Sequence, residues 1–393
     1  MSSKLTKDNV LEKLLIDSEF SQDTYTPEYL SGHGIVIVGA GSAFHWALEI
    51  LIIRNSITPK LIIDKKFKTP CYVNGIKSVS FEYYKNFEQI DTDNLIIITL
   101  NDEKDQNDAR KSFELLGFHK IILLFDIYAI HNPFDYKKYS LCEKIEKIHL
   151  AHAYLADDIS RNIYRDIVKL HATKTPLKIP FNSEVEQYFP RDVPLKKDSY
   201  RIISCGSGIY DIKNILGNCG NRLEELLCIE PDTNIFFGKN GYYGIYPYVT
   251  ENKLDKNIRL LNKAVSNYSG LGSFMSASYN LGRRDSATSF GSKLEVNGKE
   301  LIEVISLDSL KGNFSPTLIC TDAEGEDLNI LKGARSIINS HKPDIAVSTY
   351  HVVSHLWDCI LCIKEISPQY NCYIRNYTGY AMETMVYATT NNT

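Results

Sequence analysis

Two carboxylates one residue apart, Asp322 and Glu324, follow the apolar run 318–321, and His351 follows the next apolar run, 345–348. If the two runs are neighbouring parallel strands, all three side chains stand at their carboxyl ends. That crevice is where open α/β sheets bind their ligands. A histidine or aspartate there is the residue type of a general base, provided it lies within hydrogen-bond reach of the proton it takes. A lone histidine at a strand end can equally be a satisfied polar residue. Two carboxylates at one strand end also suit a hard divalent cation. No third oxygen ligand can be named in the sequence, so no metal is expected.

Two glycine turns supply the other half of a binding site. In Ile202-Ile203-Ser204-Cys205-Gly206-Ser207-Gly208 an apolar run leads into Gly206 and Gly208 and then into a helical pattern. About twenty residues later Leu227-Cys228-Ile229-Glu230-Pro231-Asp232 sets Glu230 at the end of a second run. A carboxylate there can take both hydroxyls of a ribose. The N-terminal half repeats the pattern with Gly39, Gly41 and, after the next run, Asp64. Its third fingerprint position is Phe44 rather than glycine. That turn could present backbone N–H groups to a phosphate, which would make the first half a nucleotide- or sugar-nucleotide-binding module. It could also be glycine serving tight backbone geometry alone.

The elements that must position these residues read as two alternating α/β halves. In the first, strands are expected at 35–38, 60–63, 95–99 and 120–125, with helices at 45–55 and 105–117. In the second, strands are expected at 201–205, 226–229, 259–261, 318–321, 345–348, 372–375 and 385–388. The last two are close enough to form an antiparallel hairpin at the sheet edge. A continuous helix is expected over 151–173, before a segment punctuated by Pro176, Pro180, Pro190 and Pro194. The fold class is therefore α/β, with two doubly wound Rossmann-like domains. Expected boundaries are a helical segment over 1–30, a nucleotide-binding domain over 31–132, a helical connector over 133–197 and a second domain over 198–393.

Several short runs of the second half occur together in order: IEPD (229–232), NKAVS (262–266), the V-x-x-LD-x-L segment (304–310), DAEGEDLNILKGA (322–334), HKP (341–343) and YH (350–351). The upstream stretch LADDISRNIYRDIV…EQYFP (155–190) precedes them. In this order and spacing the chain resembles the FkbM family of methyltransferases over roughly 155–388. The resemblance implies a class I methyltransferase fold, S-adenosylmethionine as donor, and a hydroxyl of a sugar or other natural product as acceptor. It implies donor contacts from Gly206, Gly208, Asp211, Glu230, Ala264 and Asp322. It also implies His351 or Asp322 as the base, with Glu324 orienting acceptor or donor. Three positions depart from the pattern. Ser204 replaces an acidic residue of the first strand, Tyr210 replaces a glycine and could crowd the donor's methionine end, and Asn376 stands where the family often has histidine.

The acceptor is expected to be a sugar or nucleotide sugar of bacterial surface glycan (capsule or lipopolysaccharide) biosynthesis. Tyrosines within 236–249 could stack on sugar faces, and Arg283 and Arg284 could meet a phosphate or carboxylate. A net charge of −4 and the lack of Lys/Arg blocks argue against nucleic acid as a partner. No apolar run approaches a membrane span, and the N-terminal residues are too charged for a signal peptide, so a cytoplasmic protein without a membrane span, able to form homo-oligomers, is expected. The nine cysteines read as small buried hydrophobes, Cys359 and Cys362 included. Two other readings stay open: a scaffolding or binding protein with a degenerate donor turn, and an enzyme using NAD at Gly39–Asp64.

Overall fold

Apolar runs without polar alternation suit strands covered on both faces, and the chain has two sets of them. The computed structural model describes residues 25–41, 44–100, 102–128, 144–173, 177–196, 198–238, 243–276, 292–378 and 381–391. Most of the expected N-terminal helical segment, the Arg283–Arg284 segment and the middle of the aromatic stretch lie outside these residues. Two compact units result: Lys13–Ser140 with Ile167–Lys178, and Met1–Glu12 with Leu141–Asp166 and Ile179–Thr393.

The first unit holds a six-stranded sheet of β1 (Ile35–Val38), β2 (Leu61–Ile63), β3 (Cys71–Val73), β4 (Ile76–Val79), β5 (Leu95–Ile98) and β6 (Ile121–Leu123), in the order β3-β4-β2-β1-β5-β6. All pairings are parallel except β3 with β4. That edge hairpin was not among the expected strands. Asn74 and Gly75 turn it with positive φ of 52° and 77°, the geometry Asn-Gly favours in a two-residue hairpin.

The second unit is built on a seven-stranded sheet of β7 (Tyr200–Cys205), β8 (Leu223–Ile229), β9 (Ile258–Leu261), β14 (Leu318–Thr321), β15 (Asp344–Ser348), β16 (Asn371–Asn376) and β17 (Thr384–Thr389). Its order is β16-β17-β15-β14-β7-β8-β9, parallel except that β17 runs antiparallel to both neighbours. The strand order reverses between β7 and β14, so a crevice opens at their carboxyl ends. All seven expected strands are present, and the last two form the expected hairpin. One layer was not foreseen: a four-stranded sheet of β10 (Ala264–Val265), β13 (Glu300–Ile305), β11 (Gly270–Met275) and β12 (Lys293–Leu294). Phe274, Ile302 and Val304 are buried while Leu271 and Leu301 stay exposed, the period-two pattern of a sheet covered on one side.

The expected helix over 151–173 is two helices, Ile145–Ala153 and Asp158–Thr173. Leu155 instead makes a bridge to Cys372, and the Ala156 N–H donates to the Cys372 carbonyl at 2.8 Å. Asp157 then accepts from the Ser160 N–H at 2.7 Å, so the polar LADD sequence stops one helix and starts the next. The same Asp157 meets Arg375, whose side chain is fully buried in β16, at 2.7 Å, and Asp192 meets it from the other side at 2.8 Å. Arg375→Met should therefore lower the unfolding free energy by about 3 kcal/mol, because two carboxylates lose their buried partner. The exposed pair Arg161–Asp158 gives a control, since Arg161→Gln should change it by less than about 1 kcal/mol. Urea denaturation of both variants measures the difference; equal effects would refute the assignment of Arg375 as the clamp.

Candidate active site

The two loops that form the crevice are in contact. Gly206, at φ 79°, turns the chain out of β7 so closely over the loop after β14 that a Cβ would stand 1.9 Å from the Asp322 carbonyl oxygen. Only glycine fits both the conformation and the space. The cleft beneath is walled by Ile229, Ala264, Val265, Phe274 and Leu294 and bordered by Gly206, Glu230, Asp322, Glu324 and Glu326.

Glu230 ends β8 buried in this cleft, its Oε1 accepting from the Asp232 N–H at 2.7 Å. Burial pushes its carboxyl well above the usual range, although the Asp232 N–H opposes the shift. Asp232, also buried, accepts from Ser276 at 2.6 Å and Ser292 at 2.8 Å, tying the four-stranded sheet to the end of β8. The glycine turn itself is arranged differently from expectation. Ser204 is buried behind the turn, its Oγ 2.7 Å from that of Ser207, and Ser207 donates to the Ser204 carbonyl at 2.9 Å. Asp211 accepts from the Gly208 N–H at 2.6 Å and from the Tyr188 hydroxyl at 2.7 Å. It therefore caps the helix Ile209–Cys219, and neither it nor Gly208 lines the cleft. Tyr210 projects outward, 52% exposed, and also stays clear of the cleft walls. Asn376 is buried and bonded to Thr384 and the Thr378 carbonyl.

The charged centre lies where β14 and β15 end. His351, 1% exposed, places Nε2 3.4 Å from Asp322 Oδ1 and 3.7 Å from Glu324 Oε2, and Nδ1 3.3 Å from Asp327 Oδ2. Glu324 sits at φ 49° and Gly325 at φ 101°, a sharp reversal that brings the Glu324 carboxylate back over the strand ends. Burial alone would lower the proton affinity of His351. Glu324, Asp327 and Asp322 overcome it and raise the imidazole to about 10. Asp322 is itself pushed well up by burial, against the pull of His351. The Tyr350 hydroxyl donates to Asp322 at 3.2 Å. His355, on the following helix and surrounded by protein, is lowered by burial to about 4.

The residues expected to do chemistry, Asp322, Glu324 and His351, are thus brought together beside Gly206, Glu230 and Ala264. Sequence reasoning did not single out Asp327, Asp232, Tyr188 or Phe274. Tyr188 lies in the EQYFP stretch and Asp327 in the run 322–334, so the signal for both was adjacent. In the first unit Gly39 and Asp64 also meet, but Asp64 closes its own turn. Its oxygens accept from the Ala40 N–H at 2.6 Å and the Lys66 N–H at 2.8 Å. No cluster of three or more metal-ligating side chains occurs among the described residues.

No family model and no curated protein matches the sequence. Among solved structures, the chain is similar to methyltransferase FkbM from Methylobacillus flagellatus KT, with a TM-score of 0.64 over 96% of each chain at 20% identity. At that identity the likeness shows the fold alone, a Rossmann-like α/β architecture, as the sequence reading expected.

Two predictions follow from the geometry. Gly206→Ala should destabilise the second unit by at least about 2 kcal/mol, through backbone strain and the clash with Asp322; an unchanged urea midpoint would contradict the close crossing. The contribution from His351 is complete below about pH 6.5 and is lost as pH rises towards about 10. The raised carboxyls of Glu230 and Asp322 act in the same direction, since their burial is favourable only while they hold their protons. Denaturation at pH 6.5 and 9.5 should therefore show lower stability at the higher value.

Proposed function

We propose that the second unit is an S-adenosylmethionine-dependent O-methyltransferase acting on a sugar hydroxyl, in the biosynthesis of a bacterial surface glycan. The observation that carries the reading is the pair of cleft-lining carboxylates Asp322 and Glu324, both backed by the buried His351, in a cleft that also holds a buried strand-end carboxylate, Glu230. The residues present fit the donor. Glu230 would hold the ribose hydroxyls, the apolar walls from Ile229 to Phe274 would take the adenine, and the acidic centre would face a cation. S-adenosylmethionine, when bound, supplies a methyl group on a positively charged sulfonium.

The chain's own residues then have distinct tasks. His351 keeps its proton, because three carboxylates surround it, and so acts as a fixed positive charge beside Asp322. Asp322, whose proton affinity is raised by burial, is the acceptor for the hydroxyl proton, since a base tuned towards neutral pH is the more effective one. Glu324 orients the acceptor, and the walls of the cleft exclude water from the reacting oxygen. Tyr243 and Tyr246, each 50% exposed, offer ring faces on which a sugar can stack. The first unit carries no step of this reading.

Glu230→Ala should weaken binding of S-adenosylmethionine roughly 10- to 100-fold in a calorimetric titration, the effect of a lost charged hydrogen-bond pair. Asp322→Asn should leave donor binding within roughly threefold while lowering turnover at least roughly 100-fold. Turnover would be read as +14 Da products across a set of nucleotide sugars (a methyl replacing a hydrogen). Wild-type protein that binds no donor, or an Asp322→Asn variant with near-normal turnover, would sink the reading.

A further inference from the structure

The carboxylate of Asp327 is wholly buried, yet it opens a helix, Asp327–Lys332, at the edge of the charged centre. Its oxygens are fully engaged. Oδ1 accepts from the Thr321 hydroxyl at 2.8 Å and the Ala323 N–H at 3.1 Å. Oδ2 lies 3.3 Å from the Gly325 N–H and 3.3 Å from His351 Nδ1. One carboxylate therefore holds the end of β14, the N–H groups of both residues flanking Glu324, and one nitrogen of the imidazole.

We propose that Asp327 is a positioning residue for the reaction: it holds the proton on His351 Nδ1 and so turns the Nε2–H towards Asp322 and Glu324. This rests on the methyltransferase reading for its consequence, but the contact itself is independent of any substrate. The groups facing the imidazole are Asp322 and Glu324 from the loop after β14, Asp327 from the following helix, Tyr350 beside it in the chain, and His355 from the next helix. Glu383 acts on Asp322 from beyond. Of the three carboxylates near His351, Asp327 alone meets Nδ1. Burial would raise its carboxyl, but the hydrogen bond and charge of His351, with the Thr321 hydroxyl, hold it low. Without this anchor the imidazolium loses a partner that holds its charge and its orientation, so it gives up a proton more easily or rotates, and the Nε2–H is no longer fixed towards Asp322.

The test is a histidine-resolved NMR titration of the full chain, run beside the methyl-transfer assay, for wild type, Asp327→Asn and Asp308→Asn. Asp308 is a matched control, a carboxylate that caps the helix Arg335–His341 through the Ser336 and Ile337 N–H groups, away from the imidazole. In wild type, His351 should carry a proton on Nδ1 at neutral pH and titrate well above the ordinary histidine range. Asp327→Asn should move that titration down by more than one pH unit, shift the pH–rate profile with it and lower turnover roughly 100-fold. Asp308→Asn should alter stability without moving either. If Asp327→Asn lowers stability while the His351 titration and tautomer stay as in wild type, the role is structural and the proposal fails. If the titration moves but wild type transfers no methyl group, the contact stands and the methyltransferase reading fails instead. Should Asp327→Asn not fold, Thr321→Val removes one of the anchors of Asp327 while keeping the acid; a wild-type His351 with no proton on Nδ1 overturns the proposal without any variant.

Discussion

The crevice between β7 and β14 is closed at its base by one contact, the Gly206 backbone passing against the Asp322 carbonyl. Two loops from adjacent parallel strands normally diverge, because each must leave room for its own side chains. Here the first loop has no side chain at the crossing and takes a positive φ, so the second can pass directly above it. The Asp322 N–H completes the arrangement by donating to the Cys205 carbonyl at 2.9 Å. With the loops locked together, the position of the Asp322 carboxylate is set by the sheet rather than by a mobile connection. Glu324, two residues on, inherits that precision through the reversal at Gly325.

From this crossing the rest of the site can be followed outward. Asp327 fastens the loop to the start of its helix and reaches across to His351 at the end of β15. Glu230 is fixed from the other side of β7, and its neighbour Asp232 draws in Ser276 and Ser292, so the small antiparallel sheet forms a wall of the same cleft. The upstream segment serves the turn rather than the ligand. Tyr188 holds Asp211, and Asp211 holds Gly208. These contacts lie on different elements, yet all of them converge on the ends of four parallel strands, β7, β8, β14 and β15, around the switch in strand order.

How much of this was legible in the sequence depended on range. The strands β7, β8, β14 and β15 declare themselves through apolar runs such as Leu226–Ile229 and Leu318–Cys320, whose side chains are buried on both faces. Short strands such as β10 and β12, two residues each, have no period to detect and exist because β11 and β13 offer them partners. The helix break at 154–157 was hidden for a similar reason: LADD has no proline or glycine, and only its pairing with Cys372 and Arg375, more than two hundred residues away, takes it out of the helix. At the site, residue types at strand ends were enough to expect Asp322, Glu324, His351 and Glu230 near one crevice. The helix-capping contacts of Asp211 were not legible, because a carboxylate after a glycine turn can serve a ligand or cap a helix, and sequence does not distinguish the two. Asp327 was passed over because an acidic residue at a helix start ordinarily faces water; its burial follows from His351, which sequence places twenty-four residues away.

The charge balance of the cleft gives the strongest physical constraint on what it accepts. Asp322, Glu324 and Asp327 surround a single imidazole, and Glu230 lies buried across the cleft with its carboxyl pushed up. Each ionised acid is costly to bury without a partner, and one imidazolium cannot neutralise three neighbours. Glu230 and Asp322 therefore hold protons more tightly than they would in water, and a cation entering the site is attracted to the carboxylates that are ionised. An anion meets the opposite balance. A nicotinamide dinucleotide phosphate group, or the phosphates of a nucleotide sugar, would have to remain outside this centre, whereas a sulfonium gains from entering it. In the reading proposed above, burial, with the neighbouring carboxylates adding to it, raises Asp322 as a base, and the same carboxylates favour a cationic donor, so recognition and proton acceptance draw on one cluster of acids.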